Sequence, residues 1–576
     1  MPSDPPSRPF GPNLPAMMFD RARAWPDRPM LRAFRAGVWV RITWAEFARA
    51  AAALARGLTA AGIAPGDRVL IVAGNRPEYP IAETALLAIR AVPVPAYLSN
   101  TRADHAHLLR DSGARAAIVG SAALALLVRA AAQDAGGLDL LVVMDAPAAA
   151  DGSGLRVLSW AALTADSAPP DDIAAAATAI PPGTLACLLY TSGTGGAPRG
   201  VMLAHRAILS NCQGAAELVR PLRLGAQEVY LSFLPVAHSY EHTVGLFFLP
   251  GMGVEIVYAR GVEHLAADLL TVRPTLLAAV PRVLEAVRLR VQTQLARQPQ
   301  WRQMLFARAL AGGMARLDGV APGLADRLID PLLDRLVRAK VRARFGGRIK
   351  AIMSGGARLD PELGRFFLAL GLPIMQGYGQ TEAGPVISAN PPDAIRIDSV
   401  GPPLAGVTLR LAEDGEILVR GDLVMEGYWR RPEDTAAAIH DGWLHTGDIG
   451  TLDAVGYLRI TDRKKDIIVL SGGENISPAK IEGMLTGEPE IAQAVVAGDG
   501  RAGLSALVVP AAGQDAVGVA LAVARVNLRL SVTERVRHHL PVPEFTIENG
   551  LLTPSHKVRR RLVLRAHQEA LATLGG

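Results

Sequence analysis

From Trp44 onward, segments of helical spacing alternate with short apolar runs: an alanine-rich helix to about Ala61, then Val69 to Ala73, Ala116 to Val119 and Leu140 to Met144. Runs this short and this apolar suit strands covered on both faces, and their alternation with helices marks an α/β protein with a parallel or mixed sheet. A loop rich in Pro, Ala and Asp spans Ala165 to Gly183, and the strand Thr184 to Tyr190 then enters a run of glycines and hydroxyls. Helical periodicity covers Val283 to Phe345, ahead of a strand at Lys350 to Met353 and a second glycine-rich turn. After Ser399 the texture changes to short strands and glycine turns, among them Glu416 to Arg420 and Tyr457 to Ile460. The charged run Asp462 to Asp466 reads as a linker, and the roughly 110 residues beyond it suffice for a small α+β domain. At 576 residues the chain exceeds the size at which a single core stops growing. The expectation is a large N-terminal domain over residues 1–464, with several subdomains, mixed sheets and a β-rich part, and a C-terminal domain over 465–576.

Half the residues are hydrophobic and 20% are charged, which leaves no long segment too polar to fold. The net charge of +6 is too dilute over this length to argue for nucleic acid, and it suits a polyanionic small substrate equally well. Cys187 and Cys212 form neither a disulfide framework nor a metal-ligand spacing, which fits a cytoplasmic protein. Met1 to Pro15 contains Asp4 and several prolines without an apolar core, so it does not read as a secretory signal. No apolar stretch reaches the ~18 residues of a membrane span.

Four short segments carry chemistry. In Tyr190 to Gly200, glycines let backbone amides approach a phosphate, while Thr191, Ser192 and Thr194 add hydroxyl donors and Arg199 a fixed positive charge. No Gly-Lys-Ser/Thr closes this loop, so it is not a P-loop. The second segment joins Ser354, Gly355, Gly356 and Ala357 to Gln376, Gly377, Tyr378, Gly379, Gln380, Thr381 and Glu382. A tyrosine between two glycines can lay its ring on a flat base, worth ~1 to 3 kcal/mol, and a nearby glutamate can hold a hard cation. The third contains Asp448, Ile460 and Arg463, a carboxylate and a guanidinium able to bind the two hydroxyls of a ribose. The fourth, Leu552 to Arg561, places Lys557 in a basic tail. Each alone has an ordinary alternative: a surface turn, a core tyrosine, a turn aspartate, a solvated basic face.

Together these segments resemble the signatures of the adenylate-forming enzymes, the group of acyl-CoA synthetases, peptide-synthetase adenylation domains and luciferases. The resemblance extends from about Leu14 to Arg561, and in Pro235 to Glu241, Val280 to Arg282 and Ser471 to Ser477 it is to the bacterial long-chain fatty acyl-CoA synthetases. It implies that Thr191, Ser192, Gly193, Thr194 and Arg199 bind the ATP phosphates. Gly356, Ala357, Gln376, Gly377, Tyr378, Gly379 and Thr381 then bind adenine and the α-phosphate, and Asp448, Ile460 and Arg463 the ribose. Thr191 and Glu382 accompany Mg2+, His238 and Gly355 border the acyl pocket, and Gly473 lines a tunnel for coenzyme A. Lys557 is the catalytic lysine, delivered by a small mobile domain that turns about Lys465. Gly195 departs from the pattern, standing where a further hydroxyl is usual, and His242 stands where the long-chain branch often has arginine.

The implied reaction is ATP-dependent conversion of a carboxylic acid, of fatty type, to an acyl-adenylate and then to acyl-CoA. Two other readings share the motifs: a ligase loading the pantetheine of an acyl carrier protein, and a nucleotide-binding scaffold without activity. A homodimer is compatible with either. Between Pro331 and Phe345, Leu333, Val337, Val341 and Phe345 recur every four residues among Arg335, Arg338, Lys340, Arg342 and Arg344. This pattern fits either a helix packed on the large domain or a basic amphipathic helix making peripheral contact with the inner membrane face.

Overall fold

The computed structural model describes residues 10–145, 154–191, 197–321, 323–472, 474–553 and 557–574. Two α/β sheets form the base of the N-terminal part, as the alternation of elements implied. The first is wholly parallel, with strands in the order Val92–Pro95, Arg68–Val72, Ala116–Val119, Leu140–Val143, Arg156–Ser159. The second has eight strands; six central ones run parallel, and the edges Val38–Thr43 and Val386–Ala389 pair antiparallel. Ala116–Val119, Leu140–Val143, Glu255–Tyr258 and Leu276–Ala279 are buried end to end, which is why such strands read as largely apolar runs rather than alternating ones.

Two antiparallel sheets sit on this base. The strands Leu185–Thr191 and Arg199–Ala204 form a hairpin, joined at its edge by Gly427–Tyr428. The β-rich part contains Thr408–Leu411, Glu416–Arg420, Trp443–Leu452, Ile439–His440 and Leu458–Arg463. Beyond it, Ile491–Ala497, Leu504–Pro510 and Val536–Pro541 make a three-stranded sheet with the helices Pro478–Thr486 and Ala516–Asn527. The apolar residues of this last part, from Ile468 to Leu571, form their own two clusters and share none with the rest among the described residues.

Two local expectations need correction, and one left open between two readings is decided. The loop from Ala165 to Gly183 contains a helix, Asp171–Thr178, whose alanines favour it and whose Asp171 and Asp172 suit its first turn. The charged run is only partly a linker, because Asp462 and Arg463 belong to the strand Leu458–Arg463 and pair with Ile449 and Asp448. The row Leu333, Val337, Val341 and Phe345 is buried within the protein. Arg338 there is buried and bonds the Ala309 carbonyl and Asp330, while Arg342 pairs with Asp334. That row is therefore a core face and not a membrane contact.

Candidate active site

The glycine-rich segment joins the two strands of a hairpin, with Thr191 opposite Arg199. Among the described residues, both flanks of this loop are strands. Ser192, Gly193 and Thr194 themselves lie outside the described residues, as does Gly473. At the rim, Thr191 keeps a buried hydroxyl without a hydrogen-bond partner among the described residues. Arg199 stacks its guanidinium 4.1 Å from the ring centroid of Tyr428 and donates to the Tyr428 hydroxyl at 3.2 Å. That hydroxyl in turn donates to Glu382 Oε1 at 2.8 Å. Residues 199, 382 and 428 are thus joined into one chain of contacts, and Tyr428 is a member that the motifs alone did not disclose.

The adenine motif occupies the last parallel strand, Ile374–Gly379, and the one-turn helix Thr381–Ala383 after it. Gly379 is obligatory in a steric sense, since a Cβ there would lie 1.8 Å from the Pro385 carbonyl oxygen. At Gly355 a Cβ would meet nothing closer than 3.9 Å, so the strand end beside it is open. Gly356 has φ of +80°, which allows the turn after Ser354, and Ala357 follows it at the surface. Gly377 faces the antiparallel edge strand opposite Ala389. Gln376 is buried and spends its amide on the Ile397 carbonyl, which makes it a support of the neighbouring loop rather than a group aimed outward. Thr381 Oγ1 donates to Ser239 Oγ at 3.0 Å, tying this motif to the His238 segment.

Tyr378 and the third motif meet directly. The Tyr378 hydroxyl donates to Asp448 Oδ2 at 2.6 Å, and Arg463 Nε lies 3.3 Å from Asp448 Oδ1 across the strand pair. Burial raises the Asp448 carboxyl above its ordinary range, while Arg463 and the Tyr378 hydroxyl pull it back. Ile460 stands half-buried on the same strand as Arg463. His238 accepts a hydrogen bond from the Tyr240 amide on Nδ1 at 3.2 Å, and burial, then the charge of Lys557, push its imidazole down to about 4. It is neutral at physiological pH. Glu241 points the other way, accepting hydrogen bonds from Tyr230 and Ser232, both at 2.6 Å; burial pushes it up to about 7.

Lys557 enters from the C-terminal part. Thr553 donates its amide to the Lys557 carbonyl at 2.8 Å and accepts the Lys557 amide on its hydroxyl at 3.0 Å, which fixes the backbone of the residue. The side chain is exposed to water yet surrounded at longer range by protein. This surrounding lowers its ammonium below the usual lysine range; Arg463 adds to the fall, and Asp448 and Glu382 oppose it. One ammonium is therefore within electrostatic reach of Glu382, Asp448, Arg463 and His238, residues from three separate motifs. Lys465 stands at the turn after the strand Leu458–Arg463 and feels Asp448 and Arg463 as well.

The AMP-binding enzyme family profile matches residues 18–429, and that of the AMP-binding enzyme C-terminal domain matches residues 465–568. The chain belongs to the AMP-binding enzyme family. It is 34% identical over 577 residues to the long-chain-fatty-acid--CoA ligase FadD15 of Mycobacterium bovis, covering 96% of this chain and 95% of that protein. Among solved structures, the adenylation domain of a carboxylate reductase from Mycobacterium chelonae superposes with a TM-score of 0.76 at 22% identity, covering 99% of this chain and 92% of that one. O-succinylbenzoate coenzyme A synthetase from Bacillus subtilis, in complex with ATP and magnesium ion, superposes with a TM-score of 0.68 at 22% identity, covering 95% and 98%. These superpositions establish the fold.

The side chains present fit a magnesium ion that travels with a nucleotide. No group of three or more His, Cys, Asp and Glu side chains forms a metal cage among the described residues. Mg2+ needs none, because it is held by one or two protein oxygens together with substrate phosphates and water. The Thr191 hydroxyl, without a partner among the described residues, and the Glu382 carboxylate suit that mode. Among the described residues, no helix is long and apolar enough to cross a membrane.

Proposed function

We propose that this enzyme activates a medium- or long-chain fatty acid with ATP and Mg2+ and transfers the acyl group to coenzyme A. The observation that carries this reading is the position of Lys557, whose charge reaches the metal-type carboxylate Glu382, the ribose-type carboxylate Asp448 and the acyl-pocket histidine His238 at once. A carboxylate oxygen attacks the α-phosphorus, the bond to the β-phosphate oxygen breaks, and pyrophosphate leaves. Lys557 stabilises the charge that builds on the phosphoryl oxygens. Thr191 and Glu382 would hold Mg2+, which would supply neutralisation of phosphate charge; Tyr378 supports adenine, and Asp448 with Arg463 the ribose. His238, being neutral, shapes the pocket without acting as a base, and none is needed, since the attacking carboxylate is ionised at neutral pH. In the second step the thiol sulfur of CoA, entering along Gly473, bonds to the acyl carbon as the bond to AMP breaks. The small domain, residues 465–576, turns about Lys465 between the two steps.

The full-length likeness to FadD15 supports the fatty-acid reading. A panel of carboxylic acids in ATP–pyrophosphate exchange, followed by thioester assay with CoA and with acyl carrier protein, tests it. Exchange with medium- or long-chain acids and thioester on CoA is the expected result. Thioester on the carrier protein alone would make the enzyme a carrier-loading ligase, and no exchange with any acid would reduce it to a nucleotide-binding scaffold.

Tyr428→Phe tests the contact chain from Arg199 to Glu382. It removes the hydroxyl that Glu382 accepts from while keeping the ring under Arg199. Groups that orient a metal-binding side chain typically contribute about 10- to 100-fold in metal affinity. A titration of Mg2+ should therefore show half-saturation at least about tenfold higher, with KM for the acid unchanged.

A further inference from the structure

The segment between the parallel strands Leu276–Ala279 and Ala351–Ser354 is a set of helices, Pro281–Ala296, Gln300–Leu317 and Leu324–Leu333, continued through residues 334–344. The last of these carries two apolar rows. Leu333, Val337, Val341 and Phe345 are buried, so the helix already has the apolar face that folding requires. A second row, Leu324, Leu328, Leu332 and Leu336, points to water, with exposures of 82%, 82%, 53% and 39%. Four-residue spacing keeps these side chains along one side of the helix. Trp301 and Met304, on the preceding helix, are 54% and 60% exposed. A soluble surface gains nothing from a second leucine row, and a contiguous apolar stripe rimmed by charge marks a contact with something else.

The charge around it narrows what that is. Between Pro281 and Arg344 stand 13 Lys and Arg against 5 Asp and Glu, an excess of eight, whereas the whole chain has a net charge of +6. The rest of the protein is thus slightly acidic, and its positive charge is concentrated in this insertion. The acids nearest the leucine row are already engaged: Asp326 with Arg308, Asp330 with Arg316 and Arg338, Asp334 with Arg342. Arg335, Lys340 and Arg344 are exposed and have no ion pair among the described residues. An apolar row on a helix that also carries unpaired cations, with an exposed tryptophan elsewhere in the same insertion, is the composition of a helix lying in the headgroup region of a bilayer.

We infer that the outward face of this helical insertion docks on an anionic phospholipid surface through Leu324, Leu328, Leu332 and Leu336, with Arg335, Lys340 and Arg344 meeting the headgroups. A second copy of the chain is the rival occupant, but joining the two leucine rows brings together two segments with eight excess positive charges each. An anionic membrane removes that repulsion and holds the apolar acids the enzyme is proposed to use. The surface requires nothing of the active site, so its test is separable from that of the catalytic reading.

Co-sedimentation with vesicles of phosphatidylcholine, and of an equal mixture with phosphatidylglycerol, tests the inference. The full chain should bind the anionic vesicles, more weakly at about 0.5 M than at about 0.1 M salt. Leu324→Ser with Leu328→Ser should lower the partition at least about tenfold, because two apolar side chains no longer enter the interface. Arg335→Glu with Lys340→Glu should remove the preference for anionic over neutral vesicles. Light scattering and far-ultraviolet circular dichroism with thermal melting monitor assembly and folding of each variant. No binding by the unaltered chain, binding unchanged in both folded variants, or a dimer that the leucine changes split while vesicle binding persists would overturn the inference.

Discussion

Lys557→Ala should lower acyl-adenylate formation by about 100- to 1,000-fold, the effect of losing one preorganised charge contact at a developing oxyanion, while supplied acyl-AMP plus CoA still yields thioester. The reason lies in where the ammonium acts. Its charge is felt by Glu382 and Asp448, the carboxylates proposed to serve metal and ribose, and the phosphoryl group would lie between those two in the proposed reaction. In the second step the phosphorus is not attacked: the electron pair goes to the phosphate oxygen of AMP, already a good leaving group, and the proposed turn of the small domain has by then carried Lys557 away. Comparable losses in both half-reactions would mean that the lysine holds the fold of the cleft rather than the transition state.

A pH profile adds an independent check. The surroundings of Lys557 hold its pKa below the ordinary lysine value, with Arg463 adding to the depression. Its charged form is the active one, so adenylation should decline on the alkaline side, as pH rises through that lowered pKa. Lys557→Arg keeps its charge throughout this range, so whatever activity it retains should lack the alkaline decline. His238 titrates far below and does not shape this limb.

How much of this was readable beforehand depended on whether a feature was local. Tyr378 between two glycines, and Asp448 directly after Gly447, each stand in a short run of consecutive residues, so the sequence exposes them. Tyr428 is different. Its partners stand at 199 and 382, and only the pairing of Gly427–Tyr428 with the hairpin strand Arg199–Ala204 brings the three together. Gln376 sits in the adenine motif, yet spacing could not reveal that its amide turns to Ile397. The helix over 324–344 shows the limit most clearly, because two rows of leucine-type residues have the same four-residue period. Periodicity identifies an apolar row; only packing against the neighbouring helices and the sheet tells which row is core and which remains in water.

Joining Thr461 to Ser477 should trap the enzyme between its two half-reactions. Ser477 Oγ donates to the Thr461 carbonyl at 3.2 Å, which makes this one of the places where the C-terminal part touches the strand Leu458–Arg463 while Lys557 faces the site. The turn between them is tight, with the amides of Asp466 and Ile467 both donating to the Arg463 carbonyl, and Lys465 sits inside it. Any large rotation about Lys465 must separate Thr461 from Ser477. Cysteines at both positions, closed by oxidation or a short thiol cross-linker, should leave adenylate formation near its uncross-linked rate and lower thioester formation at least about 100-fold, with reductant restoring it in the disulfide form. Cys187 and Cys212 are fully buried and should not compete. Ser477 also caps the helix Pro478–Thr486, so its replacement costs about 1 kcal/mol, an amount the uncross-linked double variant measures separately. A cross-linked enzyme that completes both steps at full rate would refute rotation about Lys465 and require CoA to reach the adenylate with Lys557 in place.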